Sequence, residues 1–155
     1  MKTLDYHMNM TTDASAHEAF ESINNVTKWW TDNLEGNSQK LNDEFTVRFF
    51  DDLHVSTQKV VEMIPDKKVV WLVSSSQLNF INNKQEWNGT KISFEISEKG
   101  GKTQIDFTHQ GLIPEIECYN DCSNAWGEYL RDSLLSLINT GKGKPTPKDA
   151  KLEID

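Results

Sequence analysis

His109 is the side chain in this sequence best placed to act on a bound molecule. It follows Ile105 and Phe107 at strand spacing, so it points to the same dry side as they do. An imidazole there can hydrogen-bond a carbonyl or move a proton, because its ordinary pKa lies near neutrality. The same position also suits a buried histidine satisfied by a local partner. Cys118 and Cys122 follow, one helical turn apart on one side. With His109 they carry the donor atoms of a soft metal site, but the spacing matches no zinc signature and supplies no fourth ligand. Two small thiols filling a tight helix–sheet gap is the reading adopted, with no metal. Rings surround these groups in the sequence. Trp30, Phe49, Trp71, Trp87, Phe94, Phe107, Trp126 and Tyr129, together with His109 and Cys122, are the candidate wall of a small-molecule pocket. Each ring could equally fill the core. There is no G-x-S-x-G, no glycine-rich phosphate loop and no H-E-x-x-H. No catalytic residue and no cofactor is expected, and covalent catalysis and nucleotide hydrolysis are disfavoured.

The elements that must position these groups are readable from periodicity. Glu115–Thr140 carries Tyr119, Cys122, Trp126, Tyr129, Leu130, Leu134 and Ile138 at three- and four-residue spacing, one face of a single long helix. Gly141 suits the left-handed residue that ends it. Thr3–Thr11 alternates as a half-buried strand, with His7 on its polar face. Ser15-Ala-His-Glu18 is a capping box that opens a short helix. A second short helix is expected over Val26–Thr31. On it the rings of Trp29 and Trp30 would diverge by about 100°, one toward the core and one toward a cavity.

Asn33–Asp43 reads as loop. Phe45, Val47 and Phe49 share a strand face, Asp51-Asp52 turns, and Val55–Ile64 returns. Pro65-Asp66 turns again into Val69–Ser74. The segment Ser75–Glu86 fits either a further strand or a flap. Gly100-Gly101 joins Thr90–Glu98 to Lys102–Leu112 as a hairpin. Such short connections require antiparallel neighbours. Ile92, Phe94 and Ile96 with Ile105, Phe107 and His109 make a dry face that only the Glu115–Thr140 helix is long enough to cover. The fold class is therefore α+β: one domain over residues 1–141, followed by a loose tail over residues 142–155.

Totals set the limits. The 155 residues fit one domain, and a 36% apolar content with five Trp and seven Phe gives a core built on rings. A net charge of −8 with no basic stripe disfavours nucleic acid and anionic membranes as partners. No apolar run reaches the ~18 residues of a membrane span. The first residues lack the pattern of a signal peptide, so a cytoplasmic protein with reduced thiols is expected.

Four motifs occur in order: Trp29-Trp30, then Glu86-Trp87-Asn88-Gly89-Thr90, then Thr108-His109-Gln110-Gly111-Leu112, then Cys118, Cys122, Trp126-Gly127 and Ser133-Leu134. From about Met8 to Gly143 they resemble the activator-of-heat-shock-chaperone-ATPase homologue group. That group is part of the START-like, birch-pollen-allergen-like superfamily, often labelled SRPBCC. The resemblance implies a helix-grip fold, in which an antiparallel sheet wraps the C-terminal helix, two short helices close one end, and an apolar cavity lies between. It also implies a choice of partners. The first is a small apolar or aromatic molecule. A heat-shock chaperone is the alternative, and a cyclase- or hydratase-type enzyme using His109 is the third. Monomer and homodimer are both compatible with it.

Overall fold

The computed structural model describes residues 5–150. Among them, seven strands form one antiparallel sheet: β1 (Tyr6–Thr12), β2 (Leu34–Gly36), β3 (Glu44–Phe49), β4 (His54–Ile64), β5 (Lys68–Leu78), β6 (Lys91–Lys99) and β7 (Lys102–Gln110). Their order is β1-β7-β6-β5-β4-β3-β2. Helix α1 (Ala16–Asn24) and a 3-10 turn (Val26–Lys28) follow β1. A continuous helical rod closes the fold: α2 (Tyr119–Glu128), a π-helical segment (Tyr129–Leu134) and α3 (Leu135–Thr140). This is the α+β helix-grip arrangement. No helix among the described residues is long and apolar enough to cross a membrane.

Local chemistry accounts for the boundaries. The Ser15 hydroxyl accepts from the Glu18 amide at 3.1 Å and starts α1. Gly100 and Gly101, with φ of 59° and 81°, turn β6 into β7. Gly141 has φ 82° and donates its N–H to the Leu137 carbonyl, which stops α3. On the hairpin β6–β7, Ile92, Phe94 and Ile96 pair with His109, Phe107 and Ile105. All six are buried.

Four readings are revised. The long helix begins at Tyr119, not Glu115, because the residues before it turn to meet the β5–β6 loop. It is also not uniformly α-helical: five-residue bonding takes over from Tyr129 to Leu134. Trp29 and Trp30 lie beyond the short 3-10 turn rather than on a helix. Their rings therefore stack on one another at 6.0 Å and 15° instead of diverging. Within the expected loop Asn33–Asp43, Leu34–Gly36 pairs with β3 as a short edge strand. Ser75–Glu86 holds no further strand: β5 itself runs on to Leu78, and a loop follows.

The segment after Gly141, expected to be loose, is tied down where it is described. Thr146 bridges Thr31, donates its N–H to the Trp30 carbonyl and accepts from the Asp32 amide. The Lys144 amide donates to Ser133 Oγ. The partner that made this possible is the unpaired backbone at Trp30–Asp32, which periodicity does not register. Residues 3 and 4 of the expected first strand and 151–155 of the expected tail lie outside the described residues.

Candidate functional site

The sheet and the rod do not close completely on each other. Between them lies a half-open cavity of about 410 Å³. Its inner wall is Trp30, Phe49, Trp87, Cys122 and Trp126, all buried, and its rim includes Phe50, Leu53, Phe80, Asp121 and Tyr129. Two loops frame the mouth. The β3–β4 turn holds Phe50, Asp51 and Asp52 at positive φ, a conformation costly for residues with a side chain. Asn79, from the β5–β6 loop, fastens that turn through bonds to the Leu53 and Asp52 carbonyls.

The β5–β6 loop is clasped to the rod in return. The Glu86 carboxylate accepts from the Glu117 and Cys118 amides at 2.8 and 2.9 Å, satisfying N–H groups at the start of the helix. The Glu117 carboxylate accepts from the Asn82 and Asn83 amides at 2.9 and 3.1 Å. These two bonds hold the Glu117 carboxyl below its ordinary pKa. The paired carboxylates tie the loop that carries Phe80 and Trp87 to the start of the rod.

The wall rings are set flat against one another. Trp126 lies 5.0 Å from Trp30 and 6.0 Å from Trp87, at 26° and 7°. A hydrogen-bond relay behind them fixes two of the three. Trp126 Nε1 donates to His109 Nδ1 at 3.0 Å. His109 must then carry its proton on Nε2 and donate to Thr90 Oγ1 at 2.9 Å. Thr90 donates onward to the Trp87 carbonyl at 2.7 Å. A second proton on His109 would face the Trp126 N–H. Burial lowers the His109 pKa to about 3, with the nearby His54 adding to the effect. His109 thus points inward as the alternation requires, but it sits behind Trp126 with both nitrogens engaged. It is a positioning residue, which leaves no free atom for acid–base chemistry.

Of the ten residues named from sequence, six line the cavity: Trp30, Phe49, Trp87, Cys122, Trp126 and Tyr129. Trp71, Phe94 and Phe107 are fully buried behind that wall, in edge-to-face contact with one another. His109 makes the fourth outside it. Cys118 is also behind the wall and accepts from Trp87 Nε1 at 3.3 Å. The Cys118 sulfur and burial together raise the Cys122 thiol, so Cys122 is not a ready nucleophile. No cluster of metal-binding side chains occurs among the described residues.

Sequence reasoning missed His54, Phe50, Leu53, Phe80, Asp121 and Ala125. His54 matters most, as the one imidazole that faces the cavity. It bonds Ser56 Oγ at 3.0 Å and stands edge-on to Phe49 and Trp87 at 4.9 and 4.7 Å. Enclosure by these rings lowers its pKa, so it is neutral near pH 7. The signal for it was available in the hairpin. With Phe45, Val47 and Phe49 on the dry face, their cross-strand partners Gln58, Ser56 and His54 must face inward too.

An antiparallel sheet gripping a C-terminal helical rod, with an aromatic cavity held open between them, defines a START-like helix-grip protein. Over residues 11–139 the chain matches the family described as activator of Hsp90 ATPase homolog 1-like protein, and it belongs to that family. Among solved structures it is similar to the Aha1 dimer from Colwellia psychrerythraea. That match has 24% identity and a TM-score of 0.72, covering 90% of this chain and 99% of the other. It is also similar in fold to protein CV1439 from Chromobacterium violaceum (10% identity, TM-score 0.62, 88% and 97% covered). A third is CalU16 from Micromonospora echinospora (11% identity, TM-score 0.63, 89% and 75% covered). No curated protein sequence matches the chain.

Proposed function

We propose that this protein binds a small, uncharged, largely apolar molecule in the cavity between sheet and rod. The observation that carries this reading is the cavity itself: about 410 Å³, walled by flat rings, with one neutral imidazole, His54, among them. Among the described residues no cationic side chain lines it, and Asp121 stands at its rim, so a carboxylate ligand finds no partner among them. The residues assigned to binding are Trp30, Phe49, His54, Trp87, Cys122, Trp126 and Tyr129. Titration of intrinsic tryptophan fluorescence with bicyclic aromatics and short lipids tests the reading. Saturable quenching and a raised melting temperature are expected. A flat response to every probe at millimolar concentration would sink it.

A second reading is supported by the family match: association with a heat-shock chaperone. The net charge of −8 supplies a surface suited to a basic partner. The chaperone's ATPase rate, measured with and without saturating protein, decides it. A rise supports the association, and an unchanged rate with no co-purification removes it. The dimeric relative from Colwellia psychrerythraea makes a homodimer the state to look for, by light scattering over a concentration series.

A further inference from the structure

Three indoles stand in the cavity wall, and two of them have their N–H engaged: Trp87 with Cys118 Sγ and Trp126 with His109. Trp30 does not. Its Nε1 bonds no protein group among the described residues. Nor is it one of the unpartnered atoms shut off from solvent, which belong to Asn24, Gln58 and Trp71. Trp30 is only 2% exposed and borders the cavity, so the open space that its N–H meets is the cavity.

His54 stands 6.5 Å from Trp30, ring centre to ring centre, at 72°. Its Nε2 lies 3.0 Å from Ser56 Oγ. Its Nδ1, like Trp30 Nε1, has no protein partner among the described residues and is not shut off from solvent. Which nitrogen carries the proton follows from Ser56. That hydroxyl is buried, and His54 Nε2 is its one hydrogen-bond partner among the described residues. Its cross-strand neighbour Ser76 donates to Asn88 instead. Were His54 to donate through Nε2, the Ser56 proton would be buried without an acceptor, a cost that the reverse arrangement avoids. Ser56 therefore donates, Nε2 accepts, and the single proton of the neutral ring sits on Nδ1. His109 carries its proton on the other nitrogen, so the two imidazoles are opposite tautomers.

We propose that Trp30 Nε1–H and His54 Nδ1–H are the polar points of the cavity, and that together they select a ligand carrying a carbonyl oxygen. Both groups are donors, and a carbonyl offers two lone pairs and no proton of its own. A hydrocarbon covers the two N–H groups and leaves them unpaired, which weakens its binding. With no cation among the described lining residues, a neutral carbonyl suits the pair better than a carboxylate. Ser56 is a positioning residue. It lies outside the cavity lining and acts by setting which His54 nitrogen is protonated. This inference rests on the ligand-binding reading above and narrows it to aromatic ketones and related neutral carbonyl compounds.

The test compares 2-acetylnaphthalene with 2-ethylnaphthalene, two probes of similar shape, on the full chain by calorimetry. The quantity read is the ratio of their affinities. His54→Phe and Trp30→Phe should each lower that ratio about tenfold, the amount one hydrogen bond supplies. Ser56→Ala should lower it by less, because the imidazole is then free to take either tautomer. An unchanged ratio in either Phe variant overturns the paired donors while leaving the cavity reading intact. Should a variant fail to fold, imidazole nitrogen NMR of the wild-type protein decides. Protonated Nδ1 at His54 and protonated Nε2 at His109 are expected, with the His54 Nδ1 signal moving when the ketone is added. A proton on His54 Nε2 overturns the inference. Binding of neither probe overturns both readings.

Discussion

Two sets of rings stand back to back in this protein, and they are held in different ways. Trp71, Phe94 and Phe107 lie behind the cavity wall and meet edge to face, at 64° and 66°. Packing surrounds them, and the one polar atom they carry, Trp71 Nε1, has no protein partner. Trp87, Trp126 and Tyr129 face the cavity, and each is tethered: to Cys118, to His109 and to Thr146. A core ring is fixed by neighbours on all sides. These three wall rings lack neighbours on one side, and a hydrogen bond supplies a further constraint on each.

The largest expected break in this contrast is in the core set. Phe94→Ala should cost about 3–5 kcal/mol in urea unfolding, while the protein that remains folded keeps its affinity for an aromatic probe. Trp126→Ala should lose comparable stability and the probe as well. An unchanged probe affinity in that variant would place Trp126 with the core.

Acid attacks the tethered set next. The pKa of His109 is lowered in the fold and ordinary in the unfolded chain, so the unfolded chain takes up the proton first. Its contribution is intact above about pH 6.5 and is lost as pH falls toward about 3. The expected slope is about 1.4 kcal/mol per pH unit over that window for this one imidazole. His109→Gln should make the curve less steep, and the part that remains belongs to His54, whose pKa is lowered by burial in the same way. An identical slope in the variant would assign the acid sensitivity elsewhere.

Smaller still is the clasp at the mouth. Glu86→Gln should cost about 1 kcal/mol, by analogy with loss of a helix cap. It should also speed hydrogen exchange at the Glu117 and Cys118 amides relative to those of β6. The smallest effect is at Tyr129→Phe, about 0.5–1.5 kcal/mol for one lost hydrogen bond. The change should be seen mainly as earlier proteolysis after Gly141.

What was legible in the sequence follows the strength of local pattern. The β6–β7 hairpin is clean because its apolar residues alternate without exception, and it placed His109 inward. The resemblance carried by Trp29-Trp30 and the later motifs led to the family and the fold. The role of His109 was not legible, because it depends on Trp126 and Thr90, residues from two other segments that meet only in the folded chain. His54 escaped because β4 shows its polar residues to the core, and only pairing with β3 makes that readable. Trp71, Phe94 and Phe107 could not be told from wall rings, since periodicity gives a side chain's face but not its depth. Glu86 and Glu117 looked like surface charge until the loop and the helix start were brought together.

Thr146 has a consequence for how the chain is made. It joins Thr31 across 115 positions, and it holds both the Trp30 backbone and the Tyr129 hydroxyl. During translation, at about 5–20 residues per second, all seven strands and the whole rod leave the ribosome before this residue does. A nascent chain that ends at Thr140 therefore holds every residue of the sheet and the rod but lacks the brace between Trp30 and Tyr129.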